Sequence, residues 1–215
     1  MIDYSSSLTS DQFILEKKFV LEVIKNINPR QDGAHVAILF FALDHVLSHN
    51  FSSPQDLSKI ESVLEAFTCN TTGDIDNCSN RGTAGTDTDF ALELVNDYIF
   101  NETNGMRPDN VPKNVVLVTD GPCECIMGNE SLLKTMEIFE QRNIRVVVVG
   151  VGQEDLTEEY LQDIFKVKSL DDVFFVNDFE EINEEFIERV SYCSGMNSLK
   201  IDTISYKISY KITTT

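Results

Sequence analysis

Residues 3–7 read Asp3-Tyr4-Ser5-Ser6-Ser7, an Asp-x-Ser-x-Ser run that puts one carboxylate and two hydroxyls on a turn at the end of the first predicted strand. Two more segments bring oxygen to the ends of elements: Gly85-Thr86-Asp87-Thr88 before a helix, and Thr119-Asp120-Gly121 directly after an apolar run. Such carboxylates and hydroxyls are hard ligands that suit Mg²⁺, Mn²⁺ or Ca²⁺. Singly, each is an ordinary device, because Ser and Asp favour helix starts and turns. Their weight lies in order and placement, since ligands of open parallel sheets bind beyond the carboxyl ends of the strands. These three segments are therefore the candidate sources of cation ligands: Asp3, Ser5 and Ser7 in the first, Thr86 or Thr88 in the second, and Asp120 in the third.

Catalytic patterns are weaker. Gly150-Val151-Gly152 lacks the third glycine of a dinucleotide fingerprint, and His45 and His49 lack the intervening Glu of a zinc-protease helix. Asp3 with Asp120 has no positioned Lys or phosphate-cradling loop beside it for phosphoryl transfer. The expectation is a binding protein and not an enzyme.

The elements that must position these residues alternate between short apolar, β-branched runs and longer stretches of helical period, the pattern of βαβ units. The fold class expected is α/β: a doubly wound, mostly parallel central sheet with one short antiparallel edge strand, flanked by helices. Buried strands are predicted at 34–42, 115–118, 144–151 and 173–176; their near-continuous apolarity means that helices cover both faces. Residues 45–51 read as the edge strand. Helices are predicted from Thr9 or Ser10 to about Ile27, from Ser53-Pro54 through Phe67, over 87–100 and 129–142, after a Thr157 cap, and over 178–192. Residues 68–85 are polar and rich in Gly and Asn, a long surface loop of the kind that is functional or pinned.

The chain of 215 residues, 42% hydrophobic, suits one domain over residues 1–195, with 196–215 a tail or a linker to a further module. No apolar run is long enough to imply membrane insertion. A formal charge of −19 repels phosphate backbones, so nucleic acid is excluded as a partner class. Five cysteines, Cys69, Cys78, Cys123, Cys125 and Cys193, read as disulfide candidates whose connectivity the sequence leaves open. Five Asn-x-Ser/Thr sequons, at Asn50, Asn70, Asn77, Asn101 and Asn129, are candidate glycan acceptors. Both features imply a secreted protein or a surface ectodomain. No signal peptide is visible and Asp3 stands close to Met1, so the chain is expected to be a piece of a longer secreted protein with a truncated first strand.

These residues together resemble a von Willebrand factor A-type domain over roughly residues 1–195. The family's metal-ion-dependent adhesion site consists of an Asp-x-Ser-x-Ser turn, a Thr from a second loop and an Asp from a third, and Asp3, Ser5, Ser7, Thr86 and Asp120 match it. Residues 36–41, 116–121 and 147–152 resemble its second, fourth and fifth strands. The resemblance implies that the Ser and Thr hydroxyls ligate the cation directly and that the Asp residues often act through water. A carboxylate of a protein ligand, such as a matrix protein like collagen or a receptor, would complete the shell. It favours Thr86, which follows Gly85, over Thr88. It also implies that Cys193, after the last helix, pairs with a cysteine upstream of the first strand. An alternative function is a structural acidic matrix or mineral-associated protein that binds calcium diffusely.

Overall fold

The computed structural model describes residues 1–68, 85–125, 128–152, 156–167 and 169–193. The interior of the 68–85 loop, with Cys69, Cys78, Asn70 and Asn77, and the 196–215 tail lie outside the described residues.

Six strands form one sheet in the order β3-β2-β1-β4-β5-β6. They are β1 (Ile2–Asp3), β2 (Ile38–Phe41), β3 (His45–His49), β4 (Lys113–Thr119), β5 (Ile144–Val151) and β6 (Val173–Val176). All pairs are parallel except β2 with β3, the antiparallel edge. The helices are α1 (Ser10–Ile27), α2 (Leu57–Ala66), α3 (Thr88–Leu94), α4 (Asn129–Gln141), α5 (Glu158–Phe165) and α6 (Glu184–Cys193).

The period-2 alternation of side chains divides the apolar strands between two cores. Val147 and Val149 of β5 join Ile2, Ile38 and Phe40 in a core closed by Phe13, Phe19, Val23 and Ile24 of α1 and Val190 of α6. Val146 and Val148 join Leu39, Phe41 and Leu117 in the other, closed by Ala91, Leu92, Leu132, Phe139 and Leu161 of α3, α4 and α5. Doubly covered strands have no polar face, which is why their sequences read as unbroken apolar runs.

The strand order has a functional consequence. The chain winds from β1 outward through β2 to β3, then returns to the other side of β1 for β4, β5 and β6. The topological switch therefore lies between β1 and β4, and the crevice at their carboxyl ends, beyond Asp3 and Thr119, is where such a sheet accommodates a ligand.

Side chains set several element boundaries that differ from expectation. The strand expected at 34–42 begins only at Ile38, because Gln55 takes over the backbone of Val36: its Oε1 accepts the Val36 N–H at 2.6 Å and its Nε2 donates to the Val36 carbonyl at 3.2 Å. The edge strand ends at His49, where the Asn50 carboxamide oxygen accepts the N–H groups of Ser52 and Ser53 and turns the chain. Asp56, not Ser53, caps α2. The helix expected over 87–100 is α3 followed by a π-helical turn at Val95–Ile99, whose end is held by Arg142 donating to the Asn96 and Phe100 carbonyls. The helix expected over 178–192 is a 3₁₀ turn, Phe179–Glu181, and then α6. The start of α1 is as read, with Thr9 and Gln12 forming a reciprocal capping box.

The turn after β1 rests on an aromatic cluster. Phe40, fully buried, stacks on Phe67 with centroids 3.7 Å apart and meets the edge of the Tyr4 ring at 6.5 Å. Phe40→Ala is expected to destabilise the fold by about 3–5 kcal/mol, read from the shift in a chemical denaturation midpoint; a loss below about 1 kcal/mol would show that the cluster is not part of the cooperative core.

Candidate metal centre

Asp3 closes β1 fully buried, and both of its carboxylate oxygens are held. Oδ1 accepts the Ser5 N–H at 2.9 Å, and Oδ2 accepts the hydroxyl of Thr119, the last residue of β4, at 2.8 Å. The alternation along the turn then separates the side chains. Tyr4 goes into the core: its N–H is bonded to the Phe41 carbonyl at 3.0 Å, its ring packs edge-on to Phe67, and its phenol donates to the Asp44 carboxylate. Ser5 and Ser7 go to the other side, with their Oγ atoms 2.8 Å apart. Ser7 Oγ donates to Asp120 Oδ1 at 2.9 Å, and Ser5 Oγ lies 3.5 Å from the same oxygen. The carboxyl ends of β1 and β4 thus gather two hydroxyls and a carboxylate within mutual hydrogen-bond reach, with Asp3 bracing the turn behind them.

Thr86 lies on a separate segment that backbone bonds tie to the end of β2 and to the loop after Asp120. The next N–H, of Asp87, bonds to the Ala42 carbonyl at the end of β2 at 3.0 Å, and the Thr86 carbonyl accepts the Glu124 N–H at 3.1 Å from the loop after Asp120. Thr86 is buried. The hydroxyl of Thr88, the first residue of α3, lies 3.5 Å from the Thr86 carbonyl. Gly85, directly before Thr86, has φ +133, a backbone conformation that side-chain-bearing residues rarely adopt, so the turn into this segment requires glycine.

Two residues that the sequence reading did not single out belong to this corner. Thr119 is one, through its bond to Asp3. The other is Glu16 of α1, completely buried, whose Oε1 accepts the Asp3 N–H at 3.2 Å while Oε2 has no hydrogen-bond partner among the described residues. A signal existed for it: Glu16 falls three residues after Phe13 on the helical stripe that the core covers, where an apolar residue belongs.

Electrostatically the corner is crowded with like charge. Burial, then the Asp120 carboxylate, pushes Asp3 up to about 7, against the lowering effect of its bonds from Ser5 and Thr119. Burial first, then Asp3 and Asp120, raises Glu16 well above the usual carboxylate range. Desolvation and like charge both penalise the ionised forms, and a bound divalent cation reverses both penalties. The donor set is all oxygen, so the residues fit a hard cation, Mg²⁺, Mn²⁺ or Ca²⁺.

The remaining candidates are dispersed. Cys123 and Cys125 form a disulfide beside the site. Cys193, a disulfide candidate, has no disulfide partner among the described residues; it lies at the end of α6, buried in the core that α1 and α6 share, and burial pushes its thiol up. Of the described sequons, Asn129 is exposed at the start of α4, whereas Asn50 and Asn101 are half-buried and their carboxamide oxygens cap local turns. His45 and His49 lie in β3, as read; His49 is buried against the Gln55 amide. Among the described residues, no helix is long and apolar enough to cross a membrane.

Comparison with known proteins gives a consistent picture. The family model described as von Willebrand factor type A domain matches residues 1–189. Matrilin-2 of Mus musculus is 24% identical over 184 residues, 85% of this chain but 17% of its own length, so the chain spans only a small part of that relative. Among solved structures, proximal thread matrix protein 1 from the mussel byssus, in a form with a zinc-occupied MIDAS motif, aligns with a TM-score of 0.70 and 18% identity, covering 89% of this chain and 46% of that one. The manganese-loaded TRAP protein of Plasmodium vivax aligns with a TM-score of 0.64 and 16% identity over 89% of this chain and 70% of its own. At these identities the structural matches speak to the fold.

The raised Asp3 carboxyl gives a pH signature. Unfolded, the group loses its proton near 3.8; folded and without cation it does so only at about 7, so between these values the folded state holds the extra proton. Stability in EDTA is therefore expected to rise as pH falls from about 7 toward 4, while cation binding, which displaces that proton, weakens over the same window. Thermal melts in EDTA at about pH 7.5 and pH 5, with cation titrations at both, check this; a melting temperature that is lower at the acidic pH contradicts it.

Proposed function

Because the chain belongs to the von Willebrand factor type A domain family, we propose that it binds a protein ligand through a divalent cation held by Asp3, Ser5, Ser7, Thr86 and Asp120, in cell adhesion or extracellular matrix assembly. The observation that carries this reading is the meeting of Ser5, Ser7 and Asp120 oxygens within 2.8 to 3.5 Å at the topological switch of the sheet. The relative Matrilin-2 supports a matrix setting, and hence a location outside the cell. The zinc-occupied and manganese-loaded neighbours support a divalent ion on this fold.

In this reading Ser5, Ser7 and Thr86 offer hydroxyls to the cation. Asp120 supplies charge while its Oδ1 orients Ser7, and Asp3 holds the turn and neutralises through the outer shell. Three neutral hydroxyls leave the ion electron-poor, so a carboxylate from the ligand is the group that best completes the shell. Mg²⁺ is the expected resident, with Mn²⁺ or Ca²⁺ able to replace it. The ligand is a matrix protein such as collagen, or a receptor, presenting an acidic side chain. No step of the reading calls for catalysis.

Calorimetric titration with Mg²⁺ and Mn²⁺ is expected to give one site per chain, with affinity falling about 10–100-fold in Asp3→Ala and Thr86→Ala. Capture of a ligand from matrix extract should be lost in EDTA and in both variants. Many weak Ca²⁺ sites that are insensitive to these changes would instead favour a diffuse calcium-binding role for the acidic surface, which carries a net charge of −19.

A further inference from the structure

The loop after Asp120 carries a second group of ligand atoms, of different chemistry. Cys123 Sγ, Cys125 Sγ and a carboxylate oxygen of Asp89 in α3 all lie within 4.8 Å of one another. Asp89 and Cys125 are buried and Cys123 is half-buried, so the group faces inward with one edge open to solvent. In the oxidised chain the two sulfurs are bonded to each other. We propose that the Cys123–Cys125 disulfide opens reversibly and that the resulting dithiol, with Asp89, is a site for a thiophilic divalent cation of the Zn²⁺ class, separate from the all-oxygen site at Asp3.

Ligand type separates the two sites. Thiolates select Zn²⁺ and similar ions, whereas hydroxyls and carboxylates suit Mg²⁺. Two thiolates and one carboxylate supply three protein ligands to a tetrahedral ion and leave a fourth position open, the arrangement of a site that still accepts water or an outside ligand. The backbone prepares the sulfurs. The Cys125 N–H points to Cys123 Sγ at 3.1 Å, a bond that favours a charged sulfur over a neutral one. The Cys123 N–H is fixed by Tyr160 Oη at 3.1 Å, and the Glu124 N–H by the Thr86 carbonyl at 3.1 Å, so the turn that bears both sulfurs is clamped from α5 and from the Thr86 segment.

The chemistry needs an external dithiol reductant. Its thiolate attacks Cys123 Sγ, the more accessible sulfur; the Cys123–Cys125 bond breaks and Cys125 leaves as a thiolate that takes up a proton. The second thiol of the reductant then displaces Cys123 from the mixed disulfide, closing the reductant's own disulfide and carrying away the two electrons' worth of oxidation. Metal entry releases the two thiol protons: one M²⁺ and two Cys–SH give the bis-thiolate complex and two H⁺.

The test uses the whole chain, reduced with a dithiol, freed of it under anaerobic conditions, and kept in excess Mg²⁺ so that the oxygen site is occupied. Titration with Co²⁺, a spectroscopic substitute for Zn²⁺, should produce a sulfur-to-cobalt charge-transfer band that saturates at one equivalent. The band should be absent from the oxidised protein and from Cys123→Ser, and should persist when Cys69, Cys78 and Cys193 are all changed to Ser. Asp89→Asn should weaken cobalt binding about tenfold or more. Because Cys123→Ser also changes the loop, a second measurement uses the unaltered sequence: Zn²⁺ should protect Cys123 and Cys125 from alkylation, as mapped by mass spectrometry, and leave Cys69 and Cys78 reactive. A reduced protein that gives no band, a band that survives Cys123→Ser, or alkylation of Cys123 and Cys125 unaffected by Zn²⁺ overturns the proposal.

Discussion

Three carboxyl groups, those of Asp3, Glu16 and Asp120, are brought into one desolvated corner where β1 and β4 end, and the mutual repulsion of like charge there is the constraint around which the rest is arranged. The Met1 amino group acts on Glu16 from the start of β1. Around the three carboxyls the surroundings supply hydrogen-bond donors: the Ser5 N–H and the Thr119 hydroxyl to Asp3, the Ser7 hydroxyl to Asp120, the Asp3 N–H to Glu16. A parallel sheet covered on both faces is well suited to hold such a corner, because its rigid interior fixes the strand ends while the crevice beyond them stays open. In the proposed reading, a divalent cation from solution offsets this crowding of like charge.

Much of this was legible in the sequence, for reasons that can be traced to residues. Asp-x-Ser-x-Ser and Thr-Asp-Gly are read easily because each lies directly after an apolar run, so the strand ends locate them without further information. Alternation of strand and helix signals gives the doubly wound order, and the antiparallel edge follows from the few residues between β2 and β3. Glu16 was harder to see. A helical stripe is read by its apolar members, and one Glu within it looks like a solvated residue until the partner that needs it, the Asp3 N–H, is in place. Four of the boundaries that differed share a single cause. Gln55, Asn50, Asp56 and Arg142 each bond backbone groups that a regular element would have used, and such side-chain competition with the backbone leaves no periodic trace.

The loop between Asp120 and α4 carries more than one function's worth of structure. Its first residue serves the oxygen corner, its Glu124 N–H joins the Thr86 segment to it, and its two cysteines turn toward Asp89 of α3. Hard and soft ligands therefore stand on the same short stretch, sharing a clamp but not a donor. The Glu124 N–H bond to the Thr86 carbonyl links the turn that bears the sulfurs to the Thr86 segment.

Tyr4 holds the turn from beneath, its ring edge-on to Phe67 at 5.3 Å and its phenol bonded to Asp44, while the chain has no tryptophan. A buried phenol adjoining Asp3 is an optical probe supplied by the fold itself. Its asymmetric packing against aromatic neighbours contributes a near-ultraviolet circular dichroism signal, as one of six tyrosines in a spectrum free of indole absorption. Changes at the turn after β1 thus enter the spectrum of the native chain, with no label attached.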